Sequence, residues 1–210
     1  MSDLIDRYFE THLSLSAQDA NTLHFRYYRD YGLAIEGLVR HHKVDPLEYN
    51  RLVDDALPLD EVLRPDPELR NLLQDLDTSK VKPWLLTNAY ITHARRIVRL
   101  LGVEDCFEGV TYCDYGKLPF VCKPAKAMYE KAELEAKVRP EDRGGGRVYF
   151  VDDSFLNCMH AQQYGWTTVH LLEDPIDGEQ PMASKYRVNS LLELRKVFPE
   201  FFKSTAPSAS

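Results

Sequence analysis

Two adjacent carboxylates, Asp152 and Asp153, end the apolar run in RVYFVDDSFLN, and Ser154 and a helix-like segment follow. Side-by-side carboxylates repel, so a strand that stops on two of them needs a Mg²⁺-like ion or a lysine to neutralise them. Lys123 stands before Pro124, where another helical segment is expected to open. The helix dipole disfavours a cation at that end, so a lysine there suggests an anion close by. A further apolar run, WLLTN, stops at Thr87 and Asn88. A hydroxyl, an amide and the free N–H groups of the next helix make an anion cradle. Each feature has a plainer alternative: Thr87 and Asn88 as helix caps, Lys123 as a solvated surface residue, and the paired acids as an exposed loop with Asp153 as N-cap. Together, on successive strand ends, they describe a Mg²⁺-assisted phosphoryl-transfer site. Hydroxyl and amide would hold phosphate oxygens, lysine would balance charge, and the carboxylates would hold the metal.

The elements that must position these residues fall into two stretches. Residues 1–62 read as helical. Leu4, Ile5, Tyr8, Phe9 and Leu13 keep helical spacing, Ser16 with Asp19 makes an N-cap, and Gly32 closes the helix. Asp45-Pro46 opens the next helix. Residues 63–203 alternate. Asp66-Pro67 opens PELRNLLQDL. The short apolar runs WLLTN, GVTYCD, RVYFVDD and WTTVHLL are then separated by ITHARRIVRLLG, KPAKAMYEKAELEA and FLNCMHAQQYG. A weak strand at Tyr186 to Val188 precedes a last helix, LLELRKVF, and residues 204–210 form a frayed tail. Such alternation predicts an α/β fold with a parallel, doubly wound sheet and helices on both faces. Ligands of such sheets sit outside the carboxyl ends of the strands, where the residues above stand. RGGG at 143–146 precedes a strand rather than opening a helix, so it is no dinucleotide fingerprint.

Composition narrows the partners. A chain of 210 residues fits one substantial domain, or a core with a small second module. Its net charge of −7 argues against a nucleic-acid polymer or an anionic membrane. Cys106, Cys113, Cys122 and Cys158 include no CxxC pair, which points to free thiols in a reducing cytosol or nucleus. With no apolar run near the ~20 residues of a membrane span, the expectation is a soluble cytoplasmic or nuclear protein.

On YYRDYGLAIEGLVRHHKVDPLEYNRLVDDALPL, WLLTNAY, LLGVEDCFEGVTYCDY, VCKPAKAMYEKA and VYFVDDS, spanning about residues 20 to 160, the sequence resembles the haloacid dehalogenase superfamily. It resembles most the fungal pyrimidine 5′-nucleotidase branch. The resemblance implies a Rossmann-like core (63–203) under a helical cap (1–62) that chooses the substrate. It implies hydrolysis of nucleoside 5′-monophosphates through an aspartyl-phosphate, with Mg²⁺. Thr87 and Asn88 would bind the phosphoryl group, Lys123 would neutralise it, and Asp152 and Asp153 would serve Mg²⁺, Asp153 as the direct ligand. Catalytic roles would thus fall to Lys123, Asp152 and Asp153. The shared motifs leave dehalogenation or sugar-phosphate hydrolysis open, since only the cap argues for pyrimidine nucleotides.

The family also opens on a strand ending in DxDx[TV], whose first aspartate is the nucleophile, and no such strand precedes the cap here. Asp75-Leu76-Asp77-Thr78 matches the letters, but Leu69, Leu72, Leu73 and Leu76 keep helical spacing, so these aspartates end a helix. The nucleophile strand would lie between the WLLTN and VYFVDD strands. Its absence is expected to leave unpaired backbone and a slot, with Mg²⁺ and phosphate bound weakly and no phospho-aspartate formed. Whether this chain acts as an enzyme therefore stays open. The alternative is a non-catalytic phosphate- and metal-binding module, or a homo-oligomer joined through exposed sheet edges. His41-His42 reads as a polar helix end, Phe25, Tyr27, Tyr28 and Tyr31 as packing with one able to stack on a base, and Asp114 as a weaker pocket residue.

Overall fold

The computed structural model describes residues 2–139, 141–142, 147–172 and 182–203. The RGGG loop and the tail at 204–210 lie outside the described residues.

The first part is helical as expected. Helix α1 (Ser2–Leu13), α2 (Ala17–Tyr31), α3 (Ala34–His41) and α4 (Pro46–Leu52) follow one another. The Ser16 side chain accepts from the Asp19 N–H, and Asp45 caps Pro46 at the start of α4. Gly32 ends α2 at φ +75°, a left-handed conformation that favours glycine. Phe9, Ile35, Leu38 and Val53 are fully buried here, and the same apolar cluster takes in Cys113, Tyr115, Phe120 and Cys122 from a core loop. The helical cap is therefore sealed against the loop leading to Lys123. Helix α5 (Leu59–Val62) and α6 (Pro67–Gln74, capped by Asp66) complete the lead-in.

Strand β1 (Trp84–Thr87), α7 (Ile91–Leu100), β2 (Gly109–Tyr112), α8 (Lys126–Ala136), β3 (Tyr149–Asp152), α9 (Phe155–Tyr164), β4 (Thr167–Leu171) and β5 (Tyr186–Val188) give the anticipated alternation. Every ladder is parallel. β1 pairs with β2, and β3 with β4 and β4 with β5. The sheet is nonetheless split, because β1 and β3 share no ladder. Between them lies a cavity of about 610 Å³, lined by Trp84 and Leu86 of β1, Tyr149 and Phe150 of β3, and Trp166. Lys80, Lys82, Lys137 and Arg139 also line it.

Two sequence expectations shift and one holds. Pro124 does not sit in the first turn of α8, which begins at Lys126, so Lys123 lies in the loop before it. The dipole argument for Lys123 therefore fails, and its placement has another cause, given below. The last helix shrinks to a 3₁₀ turn at Leu191–Glu193 and a single turn at Leu194–Val197. Its Leu194, Val197 and Phe198 pack against Val169 and Val188, so tertiary contacts fix this segment. Asp75 caps the end of α6, as its leucine spacing predicts, and Leu76 makes only an isolated antiparallel bridge to Phe202.

Among the described residues no helix is long and apolar enough to cross a membrane.

Candidate active site

The carboxyl ends of β1 and β3 converge on Lys123. Its ammonium donates to the Leu86 carbonyl of β1 at 3.0 Å and to Asp152 Oδ2 of β3 at 2.6 Å. It thus bridges the two halves of the split sheet. Its side chain is 8% exposed and that of Asp152 is 7%. A buried ion pair is tolerated only when its remaining polar atoms are also bonded. That condition is met: Asp152 Oδ1 accepts from the Ser154 N–H at 3.0 Å and from Asn157 Nδ2 at 2.9 Å. Lys123 Nζ also lies 5.5 Å from the centre of the Phe150 ring, within cation–π range.

The backbone of Lys123 is held as firmly as its head. Asn88 Oδ1 accepts from the Lys123 N–H at 2.7 Å, and Asn88 Nδ2 donates to the Lys123 carbonyl at 2.9 Å. Asn88 therefore grips the lysine's main chain at two points. The Thr87 hydroxyl accepts from the Ala89 N–H at 3.0 Å, shaping the turn into α7. On the far side Gly32 presses against the same peptide. A Cβ there would stand 2.7 Å from Pro124 Cδ and 2.8 Å from the Lys123 carbonyl oxygen. Lys123 is thus placed by β1 and β3, by Asn88 and by the end of α2.

The two acids differ sharply. Asp152 has both oxygens engaged. Asp153 is exposed, and its carboxylate makes no hydrogen bond or ion pair among the described residues. The His170 ring bonds only the Asp153 carbonyl, at 3.0 Å. Mg²⁺ in such sites takes one or two carboxylates, with water and phosphate oxygens filling the other positions. Asp153 fits that role by its chemistry and freedom, with Asp152 behind it. No group of three or more His, Cys, Asp or Glu arranged for a metal occurs among the described residues.

Asn88, Lys123 and Asp152 are therefore joined by hydrogen bonds, with Thr87 and Asp153 next to them in sequence at the ends of β1 and β3. Sequence reasoning missed Asn157, named Ser154 only as the residue after the paired acids, and took Tyr28 as packing or one of four aromatics able to stack on a base. The Ser154 side chain caps α9, a signal visible as a serine just before that helix. Asn157 three residues on has no signal without the fold. The Tyr28 phenol lies beside the Ser154 side chain, and its pKa is raised by burial and by the Asp153 and Asp152 charges. Asp114 does not reach this cluster in any bond; it accepts from the Gly116 N–H at 3.1 Å and pairs with Lys117. His41 and His42 bond the Tyr31 and Tyr27 hydroxyls at 2.7 and 2.9 Å.

A second buried carboxylate sits where the cap meets α7. Asp54 is 7% exposed, and burial, then the neighbouring Asp55, pushes its pKa up to about 7. Asp55 accepts from Asn50 and from Thr92 of α7, while the buried Asn50 Oδ1 has no partner.

Against known proteins, a family model described as haloacid dehalogenase-like hydrolase matches residues 4–165. Phosphate metabolism protein 8 of Saccharomyces cerevisiae is 36% identical over 183 residues, covering 83% of this chain and 56% of that protein. The chain thus spans little more than half the length of that relative. Among solved structures, the L-2-haloacid dehalogenase of Xanthobacter autotrophicus aligns with a TM-score of 0.58 at 15% identity, over 96% of this chain and 94% of that one. A HAD phosphatase from Thermococcus onnurineus aligns with a TM-score of 0.55 at 18% identity, over 94% and 87%. At those identities the likeness concerns the fold alone.

Proposed function

Because this chain belongs to the haloacid dehalogenase-like hydrolases, we propose that its site is built to handle a phosphomonoester with Mg²⁺, and that pyrimidine nucleoside 5′-monophosphates are its substrates. The observation that carries this reading is the contrast at the strand ends. A buried Lys123–Asp152 pair stands beside the unbonded carboxylate of Asp153. Fixed positive charge next to a free hard oxygen donor suits a phosphoryl group and a divalent cation at once. The name of the yeast relative, a phosphate metabolism protein, agrees with that class of substrate.

In this reading Asp153 would hold Mg²⁺, which would supply positive charge against the phosphoryl oxygens. Lys123 turns its ammonium toward the phosphoryl group, Asn88 keeps that lysine in register, and Thr87 with its turn offers the remaining donor. Asp152 anchors Lys123. Group transfer to a carboxylate requires a nucleophilic aspartate in reach, and among the described residues Asp152 is the single carboxylate bonded to Lys123. We assign that nucleophile to a strand that would occupy the slot between β1 and β3, so the 210-residue chain alone binds but does not turn over. The unpaired edges of β1 and β3 favour a second reading, a binding module that pairs through those edges.

Phosphate release from UMP and CMP with Mg²⁺, using Asp153→Asn as the blank, tests this together with calorimetric binding of orthophosphate. Expected are no release above the blank and a weak, Mg²⁺-dependent binding of orthophosphate that Asp153→Asn abolishes. Release above the blank would overturn the assignment of the nucleophile. Orthophosphate binding indifferent to Mg²⁺ and to Asp153→Asn would overturn the site itself.

A further inference from the structure

His170 is a polar ring at a position where an apolar side chain would serve the sheet. It lies in β4, 6% exposed, and at the last rung of the β3–β4 ladder it stands opposite Asp152. Phe155 meets it edge-on, with ring centres 6.2 Å apart. Strands buried in parallel sheets are normally runs of branched apolar residues. Here the Nδ1 atom is buried with no hydrogen-bond partner among the described residues, and such an orphan works against folding. Packing alone gives no reason for a histidine. The other nitrogen, Nε2, lies 3.0 Å from the Asp153 carbonyl oxygen. A carbonyl only accepts, so in this contact Nε2 carries the proton and donates it.

What that bond holds is the peptide from which the free carboxylate of Asp153 hangs. Strand β3 ends at Asp152 and α9 begins at Phe155, so Asp153 and Ser154 make the turn between them. The carbonyl of Asp153 and the N–H of Ser154 belong to one planar peptide unit. Both of its polar groups are engaged: the N–H donates to Asp152 Oδ1 at 3.0 Å, and the carbonyl accepts from His170. Holding the two together stops that plane from rotating, and so fixes the direction in which the Asp153 side chain leaves the backbone. The carboxylate is free, but its root is pinned from β3 and from β4.

We propose that His170 is a positioning residue, which by holding the Asp153 carbonyl sets how the Asp153 carboxylate is presented to a divalent cation. The inference rests on the reading of Asp153 as the residue that would hold Mg²⁺. It adds that a buried ring on β4, acting through the Asp153 peptide, governs how tightly the ion is held. Groups that orient a metal ligand in this indirect way commonly change affinity by about 10- to 100-fold when they are removed.

The test uses Mn²⁺ as the probe, with the free ion counted by electron paramagnetic resonance in the presence of orthophosphate and the full 210-residue chain. His170→Leu removes the donor at similar volume. His170→Gln carries an amide nitrogen out to the level of Nε2, whereas in His170→Asn it stops at the level of Nδ1. Wild type is expected to bind Mn²⁺ and Asp153→Asn to lose it. His170→Leu and His170→Asn should weaken binding by about tenfold or more, and His170→Gln should recover most of it, while the urea midpoints of the Gln and Asn variants stay alike. Wild-type affinity in His170→Leu, or a His170→Gln no better than His170→Asn, would overturn the role of His170 and leave Asp153 in place. Urea midpoints that rank the variants in the order of their binding would make the effect one of folding, and would overturn it as well. A wild type that binds no Mn²⁺, or binds it equally after Asp153→Asn, would instead remove the Asp153 reading and this inference with it.

Discussion

The cap and the α/β core bury their apolar residues by different means. In the cap, α1 to α4 are close in sequence, and one cluster gathers Tyr8 to Val53 together with Cys113, Tyr115, Phe120 and Cys122 of a core loop. In the core the buried residues fall into two separate groups. One is built on Tyr129, Phe150 and Trp166, the other on Val169, Val188 and Phe198. Beside the first group a cavity opens between β1 and β3. A helix satisfies its backbone internally and needs only an apolar stripe to settle on, whereas a strand leaves every second hydrogen-bonding group to a neighbour. The cap can therefore build its helices with local hydrogen bonds alone and takes from the core only an apolar cover, Cys113 to Cys122. The core depends on what lies across each edge, and across the β1–β3 gap the described residues supply a lysine ammonium in place of a ladder.

The comparison predicts that the core is the more fragile half. Lys123→Ala should cost the most, about 3 to 5 kcal/mol, since it strands a buried carboxylate and cuts the bridge between the sheet halves. Urea denaturation measures it, and a loss below about 1 kcal/mol would mean that the ammonium is not what joins them.

The next largest effect tests the seam between cap and core. Burial holds Asp54 protonated up to about pH 7, while in the unfolded chain it ionises near its ordinary value of 3.8. Between those values the folded protein carries the extra proton, so stability falls as pH rises from about 4 to about 7 and levels off above. The fall amounts to at most about 4 kcal/mol. Asp54→Asn should flatten this slope in denaturation curves taken at pH 4, 5.5 and 7; an unchanged slope would clear Asp54 of responsibility.

The smallest effect belongs to the cap alone. The Asp45 side chain accepts from the Leu47 N–H at 2.9 Å, and Asp45→Ala should cost about 1 kcal/mol. Amide exchange should quicken in α4 and leave β1 and β3 as they were. Quickening across the strands would show that cap and core unfold as one unit.

The same contrast explains what could be read from the sequence. Ser16, Gly32, Asp45 and Asp66 act within a turn of where they stand, and each marks its helix end as expected. The apolar runs give four of the five strands among the described residues, and the weak strand at Tyr186 to Val188 is the fifth, because a buried parallel strand needs little more than a short greasy stretch. The meeting of Asn88, Lys123 and Asp152 was legible because strand ends in such folds converge. The cause of Lys123's placement was not, since Leu86 and Asn88 lie thirty-odd residues away and are joined to it only by the fold. Asn157 was hidden because it bonds Asp152 from a helix face, and although Tyr28 was among the aromatics singled out, its place beside Ser154 comes only with the fold.

Gly32 carries one more consequence. With no side chain, it lets the end of α2 rest directly on the carbonyl of Lys123 and the ring of Pro124. Hard-sphere contact transmits displacement without delay or slack, so the cap and the lysine behave as lever and load. A tilt of α2 that brings its C-terminus closer pushes the Lys123 peptide, and the grip of Asn88 on that peptide hands the motion on to the end of β1.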